Sequence, residues 1–214
     1  MKPTFFAGID QATFIQKLVE QHYVYLPNFF EEEFTEVLEE HCTQLFQNGK
    51  MRPAKIGKKT QLKRIPQIRG DWIQWIDYES SPHYLKLYQN FLRELQDFLR
   101  IELRLALKRF ESQFAVYPEG AFYKRHLDQH TQSPHRQIST VLYLNQGADP
   151  LASGGELVLY DSFGKVIRTL PPLRGSFICF LSSQLPHEVL KSNFERKTLT
   201  SWLRDDELLP LNTF

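Results

Sequence analysis

The sequence has little cysteine. Among 214 residues only Cys42 and Cys179 are present, far apart in the chain. Two isolated thiols exclude a disulfide framework and a zinc site built on thiolates. Net charge is nearly absent as well: 26 Lys and Arg against 25 Asp and Glu give +1 with histidine neutral. That balance supplies no global attraction for nucleic acid or for an anionic membrane. No apolar run is long enough to span a bilayer, and residues 1–10 lack the basic-then-apolar pattern of an export signal. The expectation is a soluble protein of the reducing cytoplasm. Cys179, inside the apolar run Phe177-Ile178-Cys179-Phe180-Leu181, reads as a core residue rather than a nucleophile.

Hydrophobic residues make up 42% of the chain and aromatics 14%, enough for a packed core. With no repeat and no linker, residues 1–214 read as one domain. The first part, about residues 1–109, reads helical. Asp10 is placed to cap a helix carrying Phe14, Ile15, Leu18 and Val19 on one face. Residues 23–26 suit a short strand. Residues 31–47 suit a helix with Phe34, Val37, Leu38 and Leu45 at near-helical spacing and Gly49 as its stop. Ser81-Pro82 opens a third helix, whose stripe is Leu85, Tyr88, Leu92, Leu95 and Leu99.

After Phe110 the pattern turns to short β-rich runs at 114–117, 138–144, 157–160, 166–169, 176–181, 188–190 and 198–203. Turn-rich pieces at 152–155 and 162–164 separate some of them. No helical pattern follows Gly154-Gly155, so a hairpin turn is expected there rather than a phosphate loop. Helices first and many strands later indicate an α+β fold with a sandwich or small barrel over about residues 110–204.

Residues 50–69 carry Lys50, Arg52, Lys55, Lys58, Lys59, Lys63, Arg64 and Arg69 with no acidic residue. The stretch is either a solvated loop or a basic arm that closes over an acidic partner.

The chemistry-bearing residues begin at His126-Leu127-Asp128. Side chains two apart on extended backbone point the same way, so an imidazole and a carboxylate face a common point. His187 opens another strand candidate far along the chain. Two histidines and one carboxylate form the facial triad of non-haem Fe(II) oxygenases, which leaves metal positions open; zinc accepts the same donors. Arg196, nine positions after His187, begins a strand-like run expected to pair beside the His187 strand. A permanently charged guanidinium suits the distal carboxylate of a dicarboxylic acid. The alternative for Arg196 is a surface charge paired with Glu195, and Lys197 competes for its role. His130 and His135 lie in a polar loop and are expected to face solvent. Glu188 is expected on the face opposite His187.

These residues carry a family resemblance. The series His126-Leu127-Asp128, Arg136, Val141-Leu142-Tyr143-Leu144-Asn145, Gly154-Gly155-Glu156-Leu157, Pro186-His187-Glu188-Val189 and Arg196 to Trp202 resembles the prolyl hydroxylase branch of the 2-oxoglutarate oxygenases. Ile68-Arg69-Gly70-Asp71-Trp72-Ile73-Gln74-Trp75 resembles the narrower group of hypoxia-inducible-factor prolyl hydroxylases and their bacterial relatives. Ala115-Val116-Tyr117-Pro118-Glu119-Gly120-Ala121-Phe122-Tyr123 and the three residues to His126 are most similar to the bacterial members, one kind of which hydroxylates elongation factor Tu. The resemblance covers about residues 23–204.

It implies a double-stranded β-helix, or jelly roll, behind N-terminal supporting helices. It implies Fe(II) held by His126, Asp128 and His187, with 2-oxoglutarate and O2 as cosubstrates and ascorbate as a stimulant. Arg196 would pair with the distal carboxylate of 2-oxoglutarate, helped by Tyr143, with Tyr117 and Thr200 near the cosubstrate. Tyr123, Arg136, Trp202 and Trp75 would surround the target proline. The basic stretch 50–69 would fold over a protein substrate such as elongation factor Tu. The run from Tyr117 to His126 is one residue shorter than in the animal enzymes, a departure that bears on the Tyr117 role. Competing readings keep the fold with a small-molecule or nucleobase substrate, or make it a 2-oxoglutarate sensor without catalysis; the intact Asp128 argues against the sensor and against a halogenase.

Overall fold

The computed structural model describes residues 9–55, 64–131, 133–145 and 154–207. Three helices precede the body: α1 (Gln11–Gln21), α2 (Glu32–Gln47) and α3 (His83–Glu102). Asp10 caps α1, its carboxylate accepting from Thr13 N at 3.2 Å. Of the expected α1 face, Phe14 and Leu18 are buried, but Val19 is 55% exposed. The buried face is narrower than the periodicity implies: α1 rests mainly on β1 (Tyr23–Leu26) and its neighbour β9 (Phe177–Leu181), with Phe14 meeting Phe98 of α3. On α2 the inward residues are Thr35, Leu38 and Cys42, with Val37 turned to solvent. Gly49, at φ 65°, ends it as expected. The α3 stripe is buried throughout, with Phe91 added to the expected residues.

The remaining strands are β2 (Arg52–Pro53), β3 (Trp72–Trp75), β4 (Arg109–Tyr117), β5 (Tyr123–His126), β6 (Arg136–Tyr143), β7 (Leu157–Tyr160), β8 (Val166–Leu170), β10 (His187–Val189) and β11 (Arg196–Arg204). They form two antiparallel sheets. The larger has the order β1-β9-β6-β11-β4-β3-β2 and the smaller β5-β10-β7-β8. From β4 onward the chain passes repeatedly between the sheets, the winding of a double-stranded β-helix. The fold is therefore α+β, with a jelly-roll body and supporting helices. Among the described residues no helix is long and apolar enough to cross a membrane.

Strand alternation gives the large sheet two working faces. Phe114, Ile138, Leu142, Phe177, Leu199 and Leu203 point to the helices and join the α3 leucines in one core. Each fully buried Leu or Phe there contributes about 1.5–3 kcal/mol through removal from water. The opposite face, with Tyr117, Val141 and Tyr143, meets Leu157, Leu159, Leu170 and Val189 of the small sheet.

Two expectations about connectivity fail. β11 pairs with β4 and β6, not with the His187 strand, which lies in the other sheet. Gly154-Gly155 does not close a hairpin, because β6 and β7 are in different sheets. Gly155 instead passes close over Arg196: at φ 72°, a Cβ there would sit 2.9 Å from Ser192 Oγ and 3.1 Å from Arg196 Cδ. Residues 152 and 153 of that turn lie outside the described residues.

Candidate active site

The small sheet brings the triad together. His126 ends β5 and His187 opens β10, and the two are register partners. Asp128 follows two residues later in a bend, 8% exposed. Its Oδ1 is 3.6 Å from His126 Nε2 and its Oδ2 is 3.7 Å from His187 Nε2. Ligand atoms of all three lie within 4.8 Å of one another. Each imidazole donates its Nδ1–H to a backbone carbonyl: His126 to Lys124 O at 2.8 Å, His187 to Leu185 O at 3.0 Å. That tautomer leaves both Nε2 lone pairs facing the carboxylate, the arrangement in which histidines ligate metal. Ser139 Oγ donates to Asp128 Oδ2 at 2.7 Å and is itself 2.7 Å from Ser182 Oγ. Phe180 packs edge-on against His187 at 4.8 Å.

The electrostatics favour a cation. Burial and the neighbouring His126 push His187 down to about 4, against the opposing pull of Asp128. Burial would raise Asp128, but the two imidazoles and Arg136 outweigh it and hold the carboxyl well below its ordinary value. His187 is thus neutral at neutral pH and Asp128 ionised, and two histidines with one carboxylate are the donor set of a non-haem Fe(II) centre.

The opposite part of the same pocket is lined by Arg196, 2% exposed. Its Nε donates to Gly155 O at 2.7 Å. The guanidinium carbon lies 4.9 Å from the Tyr117 ring and 5.4 Å from the Tyr143 ring. No carboxylate among the described residues forms an ion pair with Arg196. The alternative partner, Glu195, pairs with Lys197 at 3.2 Å, and Lys197 also reaches Glu39 of α2 at 3.3 Å. Alternation along β11 therefore sends Arg196 to the pocket and Lys197 to the helices. Tyr143 Oη is buried with no hydrogen-bond partner among the described residues. A buried guanidinium that meets no carboxylate among the described residues, beside a phenol with no hydrogen-bond partner there, fits a carboxylate-bearing ligand.

Thr200 and Thr198 line the pocket from β11, and Gln113, opposite Thr200, lines it from β4. Towards the mouth stands Trp202, 5% exposed, with the Arg136 guanidinium 3.7 Å above its ring. Glu111 holds Arg136 at 2.8 and 2.9 Å. Trp75, 45% exposed, lies 5.8 Å from Trp202 between ring centroids. Tyr123 stacks on His126. Of the metal, cosubstrate and proline-pocket residues expected from the sequence, all but Tyr143 line this pocket.

His130 and His135 are both exposed, as expected, though His130 also lines the pocket and His135 pairs with Asp205. Glu188 does face outward, accepting from Tyr160. Of the basic stretch, Lys58, Lys59 and Lys63 lie outside the described residues; Lys55 lines the pocket, and Arg69 is tied to Asp71. Ser139, Ser182, Gln113 and Asp71 were not singled out from the sequence. A buried Ser or Gln on a strand has no local signature, but Arg69 and Asp71, two apart on extended backbone, were readable as a same-face ion pair.

Residues 112–204 match the family described as the 2OG-Fe(II) oxygenase superfamily. A prolyl-4-hydroxylase from Pseudomonas putida is 34% identical with a TM-score of 0.82, covering 91% of this chain and 98% of that one. Mouse prolyl hydroxylase EGLN3 is 29% identical over 199 residues, 89% of this chain and 81% of the relative. The structure of a Trichoplax adhaerens prolyl hydroxylase in complex with a hypoxia-inducible-factor oxygen degradation domain peptide has a TM-score of 0.78 at 23% identity. It covers 91% of this chain and 89% of its own, a likeness of fold.

Proposed function

This chain belongs to the prolyl hydroxylases of the 2OG-Fe(II) oxygenase superfamily, and from that premise we propose that it hydroxylates a prolyl residue presented by a protein, with elongation factor Tu as the target. The observation that carries the reading is the buried Arg196, without a carboxylate partner among the described residues, set in one pocket with His126, Asp128 and His187.

In this reading His126 Nε2, His187 Nε2 and the Asp128 carboxylate hold Fe(II). Arg196 forks onto the distal carboxylate of 2-oxoglutarate, and Tyr143 Oη donates to it. Tyr117 and Thr200 flank the cosubstrate. When bound, Fe(II), 2-oxoglutarate and O2 together supply an oxidant able to break an unactivated C–H bond, with succinate and CO2 released. The chain's own residues position and seal. Ser139 fixes Asp128, and the Lys124 and Leu185 carbonyls fix the tautomers of the two imidazoles. Trp202 and Trp75, with the edge of Tyr123, would wall a pyrrolidine ring, and Arg136, held by Glu111, would meet the substrate backbone. Such packing excludes water and holds the target carbon close. The basic stretch, represented by Lys55 at the pocket, favours a protein segment with acidic character.

The test is mass spectrometry of elongation factor Tu after incubation with this enzyme, Fe(II), ascorbate and 2-oxoglutarate. One prolyl peptide gains about 16 Da, a single oxygen atom, and His187→Ala abolishes the gain. Succinate formation without that gain would retain the oxygenase and reject this target. Neither succinate nor gain would favour a 2-oxoglutarate sensor.

A further inference from the structure

The first imidazole of the triad is one layer of a stack. Tyr123 lies on His126 with 3.6 Å between ring centroids and 17° between planes. The Arg69 guanidinium covers the Tyr123 ring at 4.3 Å. Arg69 is fixed in turn: Nε and Nη2 donate to the two Asp71 oxygens at 2.7 and 2.5 Å, and Asp71 is 2% exposed. The backbone reinforces the arrangement. Arg69 and Tyr123 form an antiparallel bridge, Lys124 N donates to Ile68 O at 2.9 Å, and Gly70 N donates to Phe122 O at 3.0 Å.

We propose that Arg69 is a positioning residue for metal binding: locked by Asp71, it clamps Tyr123 flat against His126 and holds that imidazole in the plane from which Nε2 reaches the metal. The inference rests on the assignment of His126 as a ligand. His126 needs a clamp more than its partner does. It sits at the end of a four-residue strand with its side chain 18% exposed, whereas His187, 6% exposed, is wedged against Phe180. One hydrogen bond, to Lys124 O, leaves the His126 ring free to tilt about that contact; a flat neighbour removes the freedom. A guanidinium suits the outer layer because it is planar and stacks on aromatic faces, which an ammonium cannot do. The Asp71 carboxylate cancels the charge of Arg69, so the clamp does not repel a cation bound at His126.

The experiment is an anaerobic titration of the protein with Co(II), whose visible absorption reports ligand number and geometry. The double variant Arg69→Gln/Asp71→Asn keeps a hydrogen-bonding pair of similar size and removes the cation. It should bind Co(II) about 10-fold more weakly or worse, the usual loss when an outer partner of a ligating histidine is removed, with an altered spectrum. Tyr123→Leu should do the same, and Tyr123→Phe, which keeps the ring, should retain the wild-type spectrum. Wild-type affinity and spectrum in either Arg69→Gln/Asp71→Asn or Tyr123→Leu overturn the proposal, because clamp and ring act in series. Should the double variant not fold, the Tyr123→Leu and Tyr123→Phe pair decides. His126→Ala is the control: loss of Co(II) binding there confines any failure to the clamp, whereas wild-type binding would reject His126 as a ligand.

Discussion

At Arg196 a single substitution separates cosubstrate binding from metal binding. The guanidinium is buried, held by Gly155 O, and matched by no carboxylate among the described residues. Arg196→Ala should raise the 2-oxoglutarate concentration needed for half-maximal turnover about 10-fold or more, since a charge-assisted pair is worth roughly 1.5–3 kcal/mol. Metal affinity without 2-oxoglutarate should stay unchanged. Lys197→Ala should leave both quantities alone, because Lys197 points to Glu39 and Glu195. An Arg196→Ala enzyme with an unaltered 2-oxoglutarate requirement would remove this residue from the site. The choice between Arg196 and Lys197 was open in the sequence, where alternation shows that only one can face the pocket but not which. The triad itself was legible from residue type and order. Ser139 was not, because nothing local distinguishes a buried serine that holds a ligand from one that fills a strand.

At the scale of elements, the passage of Gly155 over β11 links backbone conformation to the cosubstrate end of the pocket. Gly155→Ala would place a methyl group against Ser192 Oγ and Arg196 Cδ at a left-handed φ of 72°. The conformational penalty alone is about 1–2 kcal/mol. The variant should therefore melt at lower temperature and require more 2-oxoglutarate, while Co(II) affinity remains that of the wild type. A variant with wild-type melting and kinetics would show that the turn yields freely. The expectation of a hairpin at this turn was reasonable chemistry applied locally: glycines do mark turns, but only the partition of β6 and β7 into different sheets decides what the turn connects. The major strands were legible by alternation, whereas β5 was not. Its Tyr-Lys-Arg-His sequence buries no continuous apolar face, and its place is set by pairing with β10 and by the Arg69 bridge.

For the whole molecule, the site costs stability in acid. His187 titrates at about 4 when folded, below the 6.5 of a free histidine. Between those values the unfolded chain binds a proton that the folded chain refuses, so stability is full above pH 6.5 and falls as pH drops towards 4. The loss is about 3 kcal/mol over that window for the metal-free protein. The lowered Asp128 adds a further loss in stronger acid. Urea unfolding of metal-free protein at pH 7 and pH 4.5 measures the slope, and His187→Gln should flatten it; an equal slope in the variant would assign the acid sensitivity elsewhere.

The strand order of the large sheet has a kinetic consequence. β6 is flanked by β9 and β11, and β4 by β11 and β3, so most neighbours are distant in the chain. Closing such loops must precede the contacts that reward it, which makes assembly slow relative to helical proteins of this size. His126 and His187 meet only once β5 and β10 have paired. A nascent chain therefore offers no complete three-donor site until β10 has been synthesised and paired with β5.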